Sequence, residues 1–166
     1  MATATYYPIA TQTLGSAAAS ITFSSIPGTY TDLRLVLSNA VTVAGGNDIQ
    51  FRFNGDTATN YSITGLHGSG TTATSVSTTS ATVIDPDASS AVGTSATVPN
   101  LYTIDVFSYA GSTNKTCLVI NSEDHNGTGD VGLSVALWRS TAAITSITIL
   151  CGSNLLTGTI ATLWGI

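Results

Sequence analysis

The sequence predicts an all-β protein, an antiparallel β-sandwich of jelly-roll-like kind with essentially no helix. Three observations point there. Apolar and polar residues alternate with period two in short segments along the chain. Turn signals fall between those segments at Ile26-Pro27-Gly28, Asn54-Gly55-Asp56, Asp85-Pro86-Asp87, Gly111–Asn114 and Gly152-Ser153-Asn154. No segment carries a 3.6-residue apolar stripe, and no fixed-period repeat suggests a β-helix. The 166 residues read as one domain, 1–166. A chain of this size buries ~70% of its unfolded surface, so it needs neither disulfide nor metal to fold.

Tyr6–Leu14 is a first or edge strand, because Pro8 cannot donate to a ladder. Ser16–Ser20, with three alanines, allows at most one helical turn. Ile21 and Phe23 open a strand that stops at Ile26-Pro27-Gly28. In Leu33–Leu37 (LRLVL), Leu33, Leu35 and Leu37 share a face. In Ile49–Ser62 (IQFRFNGDTATNYS), Ile49, Phe51 and Phe53 share a face, the chain turns at Asn54-Gly55-Asp56, and it restarts with Tyr61 and Ile63. LRLVL and IQFRF are expected to build one wall of the core, and the rest of the chain the other.

Ser69–Thr82 differs. Ten of its fourteen residues are Ser or Thr and none is large, so it cannot fill a core. A Ser/Thr-rich loop or outer hairpin is expected around 69–98. Leu101–Tyr109 is a clear strand. It places Leu101, Phe107 and Tyr109 on one face and Tyr102, Ile104 and Val106 on the other, which suggests burial on both sides. Lys115–Ser122 follows. Val131, Leu133, Val135 and Leu137 then alternate with Gly132, Ser134, Ala136 and Trp138, and Ile144–Cys151 is the next strand. In Thr157–Ile166, Ile160, Thr162, Trp164 and Ile166 share one face, and burial of that Trp and those Ile side chains is expected to hold the strand.

Composition excludes several function classes. Charged residues make up 8%, against roughly 25% in average proteins. The net charge is −5 and no basic cluster exists, which argues against nucleic-acid binding through phosphate contacts. Mean hydropathy is +0.32, yet no apolar run approaches the ~18 residues of a membrane span. The first residues lack a basic segment followed by an apolar one, so no signal peptide is expected and the chain is expected to fold in a cytoplasm. Cys117 and Cys151 match no metal or CxxC spacing and are expected as buried thiols; a disulfide would require their strands to adjoin.

Ser20–Asn39 (SITFSSIPGTYTDLRLVLSN), Ile49–Ser62 (IQFRFNGDTATNYS) and Gly158–Ile166 (GTIATLWGI) resemble segments of small structural proteins of tailed bacteriophages. These recur as standalone chains and as the ends of longer tail or appendage proteins. The resemblance covers both ends and the first third of the chain, while Ser69–Val98 lies outside it. It implies a virion β-sandwich assembled in the host cytoplasm, and it carries no catalytic residue.

Candidate chemistry is sparse. His125 lies beside Glu123, Asp124 and Asp130, but EF-hand spacing is absent and a solvated acidic loop is the simpler account. The two carboxylates of Asp85-Pro86-Asp87 belong to turn chemistry. There is no GxSxG elbow, and GDTATN (Gly55–Asn60) lacks the lysine of a P-loop. No catalytic residue, metal or cofactor is therefore expected. Arg34 and Arg52 face away from the Leu and Phe stripes and are expected either to pair with acids of a neighbouring subunit or to be solvated. With Leu101, Phe107 and Tyr109 they form the expected subunit or capsid interface.

The function expected is a non-enzymatic virion structural protein, a capsid decoration (cement) protein. Its partners would be itself, as a homotrimer, and the major capsid protein. The choice of three comes from the resemblance, since capsid lattices offer threefold positions. The alternative is a tail or head appendage module that binds a host surface glycan through Trp138, Trp164 and tyrosines.

Overall fold

The computed structural model describes residues 5–42, 48–86, 93, 95, 97, 98, 100–123 and 129–166. Among them there are eleven strands and no helix: β1 (Tyr7–Thr13), β2 (Ala18–Phe23), β3 (Leu33–Ala40), β4 (Ile49–Phe53), β5 (Tyr61–Gly68), β6 (Ala73–Ala81), β7 (Asn100–Phe107), β8 (Lys115–Glu123), β9 (Asp130–Trp138), β10 (Ile147–Leu155) and β11 (Ile160–Gly165). They form two antiparallel sheets, packed as an unequal sandwich. The large sheet runs β1-β11-β3-β7-β8-β9-β5-β6 and the small one β2-β10-β4. The all-β sandwich of the sequence is thus what the chain adopts.

The core lies between the sheets. Leu33, Leu35 and Leu37 of β3 are buried, and so are Ile49, Phe51 and Phe53 of β4. The two strands do not build one wall as expected. β3 sits between β11 and β7 in the large sheet, and β4 pairs only with β10 in the small one. Alternation sets which face of a strand is buried, not which sheet it joins. The step between sheets is made after β4. Phe53 C=O accepts from Asp56 N–H at 2.9 Å, and Asn54 (φ 50°) and Gly55 (φ 66°) are both left-handed, as a type I′ turn requires. The Asn54 side chain ties this turn to the loop before β10, accepting from Thr145 N–H at 2.8 Å and donating to Ala143 C=O at 2.8 Å.

Ser16–Ser20 makes no helical turn, because Ala18 already opens β2, which pairs along β10 through Ile21↔Ile149 and Phe23↔Ile147. β1 is an edge strand with a bulge at Pro8/Ala10, as its proline suggests. The Ser/Thr-rich segment is an outer hairpin rather than a loop, with β6 at the sheet edge, paired only with β5 and largely exposed. Both cysteines are buried and free. Burial raises both thiol pKa values, which keeps them protonated.

The last strand reverses its expected face. Ala161 and Leu163 of β11, with Thr159 just before it, point into the core, while Ile160, Thr162 and Trp164 lie half-buried on the outer face. The register explains this. β11 pairs with β3 through Leu163↔Leu35 and Ala161↔Leu37, so the small residues meet the leucine stripe. The strand still sits between β1 and β3 and joins the edge to the sheet.

Lys115, at the start of β8, is fully buried. Its ammonium donates to Gly111 C=O at 2.8 Å and to Thr113 C=O, closing the β7–β8 turn with a charge-assisted cap. Desolvation lowers its pKa.

Candidate functional site

The most unusual surface is the outer face of the large sheet. A half-buried strand normally turns its bulky apolar residues to the core and its small or polar ones to water. β9 does the opposite. Gly132, Ser134, Ala136 and Trp138 face the core, while Val131, Leu133 and Val135 are 56%, 48% and 47% exposed. The reason is Trp138. Its indole stacks on Tyr61 (centroids 6.3 Å, interplanar angle 15°) and meets Phe53 edge-on at 5.7 Å. Nε1 donates to Asp56 Oδ2 at 2.7 Å. This site anchors the strand, and period two then sends Val131, Leu133 and Val135 outward.

Neighbouring strands extend the apolar face. Leu133 lies between Ile120 of β8 and Leu66 of β5, and Val135 lies beside Leu118. Leu66 is the most exposed of these at 62%, and Ile120 is 43% exposed. A shallow groove of about 400 Å³ runs over this patch, between Leu66, Leu118, Leu133 and Val135. Leu101 and Phe107 of β7 continue it on the other side, also exposed. Asp105 is the one acidic or basic residue of β7, β8, β9 and β5 on this face, and it is paired with Arg34 of the same chain.

Arg34 is one of the expected interface residues. Its Nε and Nη2 donate to the two carboxylate oxygens of Asp105 at 2.6 and 2.7 Å, a bidentate pair between β3 and β7. The pair raises the Arg34 pKa. Arg34 Nη1 also donates to Tyr6 Oη at 3.0 Å, and its guanidinium lies 5.5 Å from the Tyr6 ring centroid. Arg34 therefore has its acid inside its own chain, neither in a neighbour nor in water alone. The sequence hint was Asp105, which the Arg34↔Asp105 register brings directly opposite.

Arg52 is placed elsewhere. It lies half-buried on β4 of the small sheet, opposite Thr148 of β10, far in topology from the apolar face. Its Nε is buried without a hydrogen-bond partner. Leu101 and Phe107 stay together on the outer face, but Tyr109 leaves it. β7 ends at Phe107, and Ser108 takes φ 49°, which breaks the alternation and turns Tyr109 inward. Tyr109 is fully buried, donates its hydroxyl to Pro27 C=O and accepts from Tyr30 N–H at 3.3 Å. Burial raises its pKa. The residues that the sequence did not single out are Leu66, Ile120, Val131, Leu133 and Val135. Their signal was present in the regular Val/Leu spacing of 131–137, but periodicity alone does not say which set faces out.

The two tryptophans offered to a glycan are not equivalent. Trp138 is buried with its donor already used. Trp164 is half-buried and packs edge-on against Tyr6 at 6.5 Å. In the acidic loop, 124–128 lies outside the described residues, so Asp124 and His125 do too. No helix among the described residues is long and apolar enough to cross a membrane. Comparison with protein-family models, with curated proteins and with solved structures finds no match.

Proposed function

We propose that the chain is a non-enzymatic structural subunit of a virus particle, a capsid decoration protein that packs by its large sheet against copies of itself and against the shell. The observation that supports this is the uncharged apolar outer face centred on Leu133, Leu66 and Ile120. Exposed apolar patches of this extent mark interaction surfaces in soluble proteins. The face is uncharged apart from a neutralised pair, so copies meet there without burying unpaired ions. Sheet spacing gives its scale. The four strands that carry the patch, at about 4.8 Å spacing and about seven residues long at 3.3 Å, present roughly 450 Å², and the rest of the large sheet brings the whole face to roughly 900 Å², on the scale of the ~800 Å² per partner of a stable interface. The virion assignment and a closed ring of three draw on the resemblance of Ser20–Asn39, Ile49–Ser62 and Gly158–Ile166 to phage structural proteins.

The test is location on intact particles. A labelled antibody, or a particle map, should place the protein on the head at symmetric positions. Protein found only at tail tips, with loss of host attachment and intact heads when it is missing, would reject the decoration role in favour of glycan recognition.

A further inference from the structure

One corner of the inner face gathers buried polar side chains whose polar atoms lack hydrogen-bond partners. His67 of β5, Gly132 of β9 and Asn121 of β8 stand in one cross-strand row. His67 and Asn121 are each 4% exposed. Both lean over the glycine: a Cβ added to Gly132 would sit 2.1 Å from Asn121 Oδ1 and 3.0 Å from His67 Nδ1. Neither atom has a hydrogen-bond partner, and His67 Nε2 has none either. Asp130, two residues before Gly132 on the same face of β9, contributes a fourth such atom, Oδ1. Arg52 Nε, on the small sheet, shares this condition. Buried polar atoms are normally paired, so four in one corner call for an occupant.

The chemistry of the corner selects that occupant. Asp130 and Asn121 offer oxygens that only accept, and a neutral imidazole offers one lone pair. The basic side chains lie elsewhere: Arg34 on Asp105, Lys115 in its turn, Arg139 on Thr59 C=O, and Arg52 on the small sheet. The four atoms are shielded from bulk solvent, and a bridging water would need room for its full van der Waals radius. A small cation, bonding at about 2.0–2.2 Å, needs less room. Beside the corner, a cleft of about 210 Å³ lined by His67, Ser69, Thr72, Thr74 and Asp130 gives an entry path and space for water on the open side of an ion.

The geometry points to a divalent-cation site above Gly132, with His67, Asn121 and Asp130 as its protein ligands. No three His, Cys, Asp or Glu side chains converge among the described residues, so the third protein donor is an amide oxygen and water completes the shell. One imidazole with two oxygens suits Zn²⁺ or Mn²⁺ better than Ca²⁺, which takes oxygen alone. The ion ties β5, β8 and β9 together at the end where the polar β5–β6 hairpin begins. This differs from the 123–130 loop considered from the sequence, because its imidazole comes from β5.

The test uses full-length protein stripped with chelator and titrated with ZnCl₂, MnCl₂ or CaCl₂. Bound metal is counted after desalting, and the melting temperature is followed. About one Zn²⁺ or Mn²⁺ per chain should remain, with a saturable rise of roughly 5–10 °C at hundredfold excess over Kd. His67→Gln and Asp130→Asn should abolish both effects, and His125→Ala should leave them. A variant that fails to fold is bypassed in the His125→Ala protein. There His67 is the only imidazole, and its ring NMR signals should shift with Zn²⁺ or broaden with Mn²⁺ at one equivalent. No retained metal, binding that survives His67→Gln, or binding lost with His125→Ala would each overturn the site. Ring signals unmoved by metal, in a His67 simply hydrogen-bonded to Asn121, would overturn it as well.

Discussion

Replacing Leu133 by Thr tests whether the outer face is covered in the working protein. The substitution installs a β-branched strand former, so the strand is kept, and it removes an apolar side chain. Leu133 is 48% exposed in the single chain, so folding alone recovers only about half of the ~1.5–3 kcal/mol that full burial of a leucine provides. The expected folding cost is therefore ~1 kcal/mol. Leu35, fully buried behind the same sheet, sets the contrast, since Leu35→Ala should cost ~2–5 kcal/mol. The other half of the Leu133 contribution, ~1 kcal/mol per chain, is realised only on association. Where two copies each lose it, the dissociation constant rises roughly thirtyfold. Urea unfolding of diluted protein measures the first quantity, and sedimentation over a concentration series the second. The reasoning fails if Leu133→Thr unfolds as easily as Leu35→Ala, or if association is unchanged.

Three further outcomes follow from single sites. The Asp48 carboxyl is pushed up to about 6, first by burial and then by the charge of Asp85, so its contribution favours folding at low pH and is lost as pH rises from about 4 through about 6; Asp48→Asn should leave the melting point at pH 4 unchanged and raise it at pH 7.5. Asp56 is shifted the other way, held down by its bonds from Asn60, Trp138 and Ala58, so its contribution is present above about pH 4 and fades below it. Trp138→Phe should keep the ring packing but lose ~1.5–3 kcal/mol with the bond to Asp56, and a double-mutant cycle with Asp56→Asn should show the two effects coupled. Gly165 lies under the Tyr30 ring, where an added Cβ would come within 2.3 Å, so Gly165→Ala should destabilise by ~1–3 kcal/mol and Gly165→Ala with Tyr30→Ala by less than the two singles together.

The strands were legible because the core stripes alternate cleanly, as in Leu33–Leu37 and Ile49–Phe53. Sheet membership was not, since a strand's two faces carry no record of its neighbours. β9 shows the same limit from inside one strand. Val/Leu and Gly/Ala/Trp alternate, and one anchored residue, Trp138, decides which set faces the core. Alternation from Phe107 puts Tyr109 on the outer face, but Ser108, a left-handed residue that no composition rule marks, turns it inward. Alternation turns Arg34 outward, as the structure has it, but its acid comes from β7, a contact visible only in the register. The His67 corner was hidden for a related reason. Its ligands come from β5, β8 and β9, and no local motif joins them.

The claim that the large sheet is an assembly face is tested most directly by the mass of the wild-type protein in solution. Light scattering from about 1 to 100 µM should give an oligomer, a trimer where the phage resemblance holds, and Leu133→Asp should give a folded monomer. A wild-type protein that stays monomeric across that range, with Leu66, Ile120 and Leu133 in water, would contradict it.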